Sequence, residues 1–271
     1  LAFLYHYNDF VPARYGCARL VLSRRFYLRR NITNMPEGND KPPRLGSTIP
    51  LTIESLAYGP YGVGRDRGRV VLVFLAAPGD EVEARLVSEK KSYATAELVR
   101  LIKPSAQRQP APCPYVAQCG GCPWQHVMYR QQLSAKEAIV RENLRRIGRF
   151  KDFQLLPIVS SPSEYYYRRR IRLQCDVEKK VGFYFPFSHA LVEIDACLIA
   201  APAINLSLAT VREWVRLLRT PLRDVEIVSG EGQSTAVLIG RSAAAFAGSD
   251  DALCASFLSR HPEIGGLVVS G

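Results

Sequence analysis

Seven cysteines occur in the 271 residues, and three are close enough in sequence to act together: Cys113-Pro114-Tyr115-Val116-Ala117-Gln118-Cys119-Gly120-Gly121-Cys122. A chain without a secretion signal keeps its thiols reduced, which favours metal binding or burial over disulfides. In this C-x5-C-x2-C spacing the tight pair sets two thiolates around one metal centre, and the longer arm lets Cys113 reach a second iron of a cubane. Gly120 and Gly121 allow backbone N–H groups to approach cluster sulfurs without interfering side chains. Three thiolates need a fourth ligand. Cys17 lies in an N-terminal leader of doubtful origin, Cys175 in a predicted strand and Cys254 in a predicted helix. Cys197 falls at a strand-to-helix junction where its side chain can be presented, so the expected set is Cys113, Cys119, Cys122 and Cys197. A structural zinc site is the alternative, since C-x2-C serves it equally; the x5 arm and the single late fourth cysteine fit an iron–sulfur cluster better.

A second group is Tyr165-Tyr166-Tyr167-Arg168-Arg169-Arg170-Ile171-Arg172. On a strand Arg168, Arg170 and Arg172 share one face, while Tyr167, Arg169, Ile171 and Leu173 share the other. Aromatic stacking and guanidinium contacts are tools for gripping unpaired RNA; the competing reading is an edge strand whose charges block aggregation. The net charge of +11 adds little, because residues 1–34 alone, with six Arg and one Asp, supply +5 of it. The remainder is equally consistent with a solvated basic surface. With four cysteines available, His126 is expected to orient its loop rather than bind metal. His6, His189 and His261 carry no partner pattern and read as surface residues. Trp124, beside the cysteines, reads as a buried cover for the cluster rather than a face for RNA.

The elements that must position these residues follow from patterning. Residues 48–103 read as β throughout, with strands at 50–57, 69–75, 81–87 and 93–102 and turns at 59–64 and Pro78-Gly79-Asp80. Short strands packed over that length suggest a closed or nearly closed barrel of the oligonucleotide-binding kind. A Pro-rich linker at 103–112 leads into the cysteine loop. A helix is predicted over 132–147, with Leu133, Val140, Leu144 and Ile147 on one face and Arg141, Arg145 and Arg149 on another. A strand follows at 165–177, with partners at 181–186 and 191–194. Next comes a helix at 205–218 burying Leu208, Val211, Val215 and Leu218. The end reads strand (225–229), strand (235–239), helix (251–260) and strand (266–269).

The longest apolar run, residues 70–77, is far short of the ~20 residues a membrane span requires. No signal-peptide pattern opens the chain, so a cytoplasmic protein is expected. Residues 1–34 contain no Lys and no Glu, and the first Met is Met35. The expectation is a flexible leader over 1–45, with natural translation starting near Met35.

The cysteine pattern with Gln125-His126 close behind, Tyr167-Arg168-Arg169-Arg170 opening a strand, and Cys197 before Leu198-Ile199-Ala200-Ala201-Pro202 resembles the TRAM-containing RNA (uracil-5-)-methyltransferases that carry a [4Fe–4S] cluster. Residues 56–64 with Asp80-Glu81-Val82 resemble the TRAM barrel. The resemblance spans residues 46–271 and implies that Cys113, Cys119, Cys122 and Cys197 hold the cluster. It also implies that the barrel and the central domain grip RNA, with Tyr167, Arg168, Arg169, Arg170, Gln125 and His126 as contacts. The implied partner is RNA, ribosomal RNA ahead of transfer RNA, bound by a monomer. In the implied reaction a Cys thiolate adds to uracil C6, C5 accepts a methyl group from S-adenosylmethionine, and a general base removes the C5 proton. The base must first leave its stack.

The sequence shows no Asp-Pro-Pro-Arg-like segment, no Ser-Cys-Asn nucleophile and no Gly-rich cofactor loop. Lys41-Pro42-Pro43-Arg44 lacks the acid, and both 59–64 and Gly230-Glu231-Gly232 read as hairpin loops. No catalytic or S-adenosylmethionine-binding residue is therefore expected in this chain, which alone should be inactive. The expected fold class is α+β: a small TRAM β-barrel at 46–104, then an iron–sulfur loop and a mixed α/β central domain at 105–271, with the Rossmann-like methyltransferase domain absent and the chain truncated before it. A non-catalytic RNA-binding or redox-sensing cluster module is the competing function. A radical methylthiotransferase ranks below both, because its cluster signature is C-x3-C-x2-C and its TRAM domain normally comes last.

Overall fold

The structure, a computed structural model, describes residues 45–242 and 244–270. The expected leader at 1–45, its start near Met35, Cys17, His6 and the Lys41–Arg44 run lie outside the described residues, apart from Leu45.

Burial of every second side chain builds the first unit. Strands β1 (Thr48–Leu56), β2 (Tyr61–Asp66), β3 (Arg69–Phe74), β4 (Glu81–Glu89) and β5 (Tyr93–Lys103) form a closed barrel in the order β1-β2-β3-β5-β4. β4 pairs back onto β1 from Thr48↔Arg85 to Thr52↔Glu81. Inward positions Ile49, Leu51, Ile53, Val71, Val73, Val82, Ala84, Leu86, Ala94 and Ala96 make one core. Closure leaves no unpaired sheet edge. On the outside, β4 and β5 are laced by Glu83–Arg100 and Arg85–Glu97 at 2.7 Å each and Glu81–Lys103 at 3.3 Å.

The expected hairpin loop at 59–64 is mostly strand β2. Its glycines are packing devices: a Cβ on Gly62 would lie 2.7 Å from the Ala76 carbonyl and 2.8 Å from Ile53 Cγ2, and one on Gly64 would lie 2.9 Å from the Thr52 carbonyl. Glycine here marks close approach rather than a turn.

The second unit is a six-stranded sheet in the order β11-β10-β9-β6-β7-β8. Its strands are β6 (Arg170–Cys175), β7 (Val181–Tyr184), β8 (Leu191–Val192), β9 (Leu222–Ser229), β10 (Ala236–Ser242) and β11 (Ile264–Ser270). Helices α2 (Pro202–Leu217) and α3 (Ser249–Arg260) share one core with it, Leu208, Val211, Trp214, Val215 and Phe257 meeting Ile171, Leu173, Val225, Ile227 and Leu238. Pro202 at the first turn of α2 has no N–H to leave unpaired, which suits a helix start. All four residues expected to be buried on this helix are buried. β10 and β11 are parallel neighbours with α3 between them in the chain; the other pairs are antiparallel.

Two elements differ from expectation. Helix α1 (Tyr129–Arg146) forms, yet no residue on it is buried, and Val140 and Ile147 are exposed. An amphipathic stripe needs a partner, and contact here is slight: Ala135 packs beside Leu56, Ala77 and Val127, while Leu133 and Leu144 are only half-buried. β6 begins at Arg170 rather than at 165, because the preceding residues pair with a different partner: Tyr166 N–H donates to Leu198 O at 2.8 Å and Arg168 N–H to Ile199 O at 2.7 Å.

Asp80 joins the barrel to the linker. Its carboxylate is fully buried and accepts from Ala77 N–H at 2.7 Å, Ser105 N–H at 2.9 Å and the Arg108 guanidinium at 2.6 Å. Those hydrogen bonds outweigh the opposing effect of burial and hold the Asp80 carboxyl below its ordinary value. Trp124 Nε1 donates to Gly59 O at 2.7 Å, and Phe187 stacks on Tyr61 with ring centroids 5.9 Å apart, so both the cysteine loop and the β7–β8 hairpin touch the barrel.

Candidate metal centre and nucleic-acid interface

The segment bearing the first three cysteines is folded by tight turns. Gln118 N–H and Cys119 N–H both donate to Tyr115 O, at 2.9 and 2.6 Å, while Gly120 N–H reaches Tyr184 O at 3.3 Å. The fourth cysteine lies beyond β8, and Cys113, Cys119, Cys122 and Cys197 line a single pocket together with Tyr115 and Gln125. Tyr115 ties the two arms: Asp195 N–H donates to its hydroxyl at 3.1 Å, and the hydroxyl donates to the Asp195 carboxylate at 3.3 Å. On the far side Asn205 of α2 accepts from Cys197 N–H at 2.8 Å and donates to Cys197 O at 3.1 Å.

The electrostatics follow from crowding. Burial pushes the Cys119 and Cys122 thiols up, and the neighbouring cysteines of the set push the same way. A hydrogen bond from Gly121 N–H relieves Cys119 in part; Gln125 and the Arg168 charge relieve Cys122. Four thiolates in one pocket repel one another, and a cation among them reverses that penalty. Among the described residues no three His, Cys, Asp or Glu side chains converge on a position for a single metal ion; the four thiols border a shared space instead. That donor set, four sulfurs around one pocket with the Gly121 N–H directed at Cys119, fits an iron–sulfur cluster.

The cysteines outside the set are placed elsewhere. Cys175 ends β6, its thiol pushed up to about 12 by burial and by Asp224 and Asp176. Cys254 lies in α3, where it accepts from Trp214 Nε1 at 3.5 Å.

The residues expected to touch RNA divide. Tyr167 is half exposed, and its neighbour Tyr166 equally so. Arg168 is exposed and runs beside the Cys197 turn, forming a bridge with Ala200. Arg169 donates to Gly230 O at 2.8 Å. Arg170 reaches Glu226 at 3.0 Å, while Arg172 reaches Glu226 at 2.9 Å and Asp224 at 3.7 Å. On this face of the sheet Arg241 pairs with Asp224 as well, so Arg170 belongs to an ion-pair network with carboxylates on β9.

Gln125 and His126 need correction, because both are buried and neither can meet RNA as placed. Gln125 accepts from Cys113 N–H at 3.2 Å, and its backbone carbonyl accepts from Gln109 Nε2 at 3.1 Å; it belongs to the cysteine scaffold. Burial, with the Arg108 charge, lowers the His126 imidazole to about 4. His261 is not a surface residue either: it packs on Phe257 at 4.3 Å and pairs with Glu263 at 3.1 Å and Glu213 at 3.4 Å. Nothing in local spacing announces Asn205 or Tyr115, whose partners lie 8 and 80 residues away.

A family profile described as the TRAM domain matches residues 43–99, which include the first four barrel strands and part of the fifth. A protein of Aquifex aeolicus named as an uncharacterized RNA methyltransferase is 37% identical over 69% of this chain and 42% of its own length. One of that name from Synechocystis is 33% identical over 83% of this chain and 52% of its own length. The 23S rRNA (uracil(1939)-C(5))-methyltransferase of Aeromonas salmonicida is 34% identical over 68% and 43% respectively. The chain thus spans about half the length of the curated relatives it matches. Among solved structures, the Pyrococcus abyssi tRNA (uracil-54, C5)-methyltransferase, in complex with S-adenosyl-L-homocysteine, superposes with a TM-score of 0.50 at 22% identity, over 72% of this chain and 46% of that one.

That superposition overturns the fold class drawn from the sequence, which set methyltransferase architecture outside this chain. With 72% of the chain sharing the fold of 46% of a solved methyltransferase, the barrel and sheet described above are a fold found within that protein, and the expected absence is withdrawn. No helix among the described residues is long and apolar enough to cross a membrane. With a TRAM domain matched at residues 43–99 and proteins named as RNA methyltransferases matching it over two thirds of its length and more, the chain carries a TRAM domain and is similar to RNA methyltransferases.

Proposed function

We propose that this chain serves the S-adenosylmethionine-dependent methylation of uracil C5 in ribosomal RNA, holding the RNA and a [4Fe–4S] cluster bound by Cys113, Cys119, Cys122 and Cys197. The observation that carries this reading is the meeting of those four thiols in one pocket beside the exposed Tyr166, Tyr167 and Arg168. The 23S ribosomal RNA specificity named for a relative 34% identical favours that substrate over transfer RNA. Cytoplasmic action by a monomer completes the reading.

Within it the residues divide the work. Exposed tyrosine rings stack on unpaired bases, and the Arg168 and Arg169 guanidinium groups meet phosphates, which is how single-stranded RNA is held without pairing. The barrel presents a closed, cross-linked outer wall that keeps its shape as RNA binds. A bound cluster supplies a four-point covalent tie between residues 113–122 and 197 and a concentrated negative charge. S-adenosylmethionine supplies the methyl group, and no contact to it is assigned to the described residues. Deleting the gene in its host and measuring 5-methyluridine by mass spectrometry tests the assignment. Loss of one 5-methyluridine from 23S ribosomal RNA is expected; unchanged ribosomal RNA, with or without a loss in transfer RNA, would overturn the substrate.

A further inference from the structure

The fourth cysteine sits on a turn that touches both the metal pocket and the segment expected to meet RNA. Ala200 N–H donates to Cys197 O at 3.0 Å, closing the turn. Asn205 holds it from inside α2, accepting from Cys197 N–H at 2.8 Å and donating to Cys197 O at 3.1 Å and Ala200 O at 3.2 Å. On its other edge the same turn carries the tyrosine–arginine segment: Tyr166 N–H donates to Leu198 O at 2.8 Å, Arg168 N–H to Ile199 O at 2.7 Å, and Ala201 N–H to Arg168 O at 2.8 Å. Arg212 of α2 donates to Ile194 O and lies 3.6 Å from the Asp195 carboxylate. One short stretch of backbone is therefore shared by a proposed metal ligand and by the backbone that orients Tyr166, Tyr167 and Arg168.

We infer that Asn205 is a positioning residue which, by clamping the turn from Cys197 to Ala201, couples ligation at Cys197 to the geometry of the RNA-contacting segment 166–168. This rests on the cluster reading above. The physical reason is rigidity. A side-chain amide that satisfies both the N–H and the carbonyl of one residue leaves the Cys197 Sγ little freedom, and outer-sphere groups of this kind govern how tightly a metal is retained. The hydrogen bonds to residues 166–168 pass that constraint to the tyrosines, so RNA affinity should depend on cluster occupancy.

The test uses anaerobically purified full-length protein in three forms: wild type, Asn205→Ala and Asn205→Asp. The aspartate keeps the acceptor for Cys197 N–H and loses the donor. Iron retention against a chelator is expected to weaken about 10–100-fold in Asn205→Ala and less in Asn205→Asp, with a changed electron paramagnetic resonance signal of the reduced cluster. A purely structural role for Asn205 would lower the melting temperature without moving that signal. Amide hydrogen exchange supplies a second arm that does not depend on the variants folding. Removing the cluster from wild type should speed exchange at Arg168 and Ala201 by about tenfold, roughly the protection of one hydrogen bond, while barrel amides stay unchanged. If wild type carries the cluster but its removal leaves Arg168 and Ala201 protected as before, the coupling is wrong and the cluster reading stands. If wild type binds no iron, the cluster reading falls and the coupling with it.

Discussion

The barrel and the cysteine region show two ways of fixing a structure. In the barrel, five strands satisfy one another's backbone around a closed ring, and the core is filled by side chains from every strand. Around the cysteines there is hardly any regular structure. Position is set by side chains that reach into backbone groups: Gln125 to Cys113, Tyr115 to Asp195, Asn205 to Cys197. The first arrangement spreads its stability over many small contacts, so that single losses are graded. The second concentrates it in a few bonds and, in our reading, in a cluster, so that a single loss is close to all-or-none.

The sharpest way to break that comparison is at a cysteine. Cys122→Ser or Cys197→Ser should abolish the brown colour and the bound iron while the barrel keeps its melting transition; Cys175→Ser, outside the pocket, should keep both. Retention of full iron by Cys197→Ser would remove it from the ligand set. Within the barrel, Ile53→Ala deletes a fully buried side chain and is expected to cost about 2–5 kcal/mol by denaturant unfolding, without loss of iron.

The junction between the two regions should respond to pH. Asp80 has a depressed carboxyl in the folded state, so its contribution is present above the unfolded value of about 3.9 and lost as pH falls on through the folded one. His126 is held neutral by burial, at about 4 against an ordinary 6.5, so its contribution is lost earlier, as pH falls from about 6.5 towards 4. Urea unfolding from pH 8 to pH 4 should show stability falling below pH 6.5, and His126→Phe should flatten that slope. The smallest effect belongs to the barrel's outer wall, where Glu97→Gln, breaking the exposed pair with Arg85, should change stability by less than ~1 kcal/mol.

The same contrast decides what could be read from sequence. Alternation revealed most of the barrel, and spacing revealed α2 and the four cysteines that the fold brings to one pocket. Strand β2 was hidden because Gly62 and Gly64 imitate a turn, when their role is to leave room for Ala76, Ile53 and Thr52. Gln125 and His126 read as RNA contacts because sequence gives their proximity to the cysteines but not their burial. The pairing of Arg170 and Arg172 with Glu226 is a cross-strand event between residues more than fifty positions apart, which no local pattern carries. The fold shared with part of a solved methyltransferase over 72% of the chain is likewise invisible to short motifs, because it lies in strand order and packing.

The most direct measurement is iron and acid-labile sulfide per chain in anaerobically purified protein, with its absorption spectrum. Four thiols around one pocket predict about four of each and a brown sample that bleaches on reduction. A colourless protein carrying one zinc per chain would contradict the account at its centre.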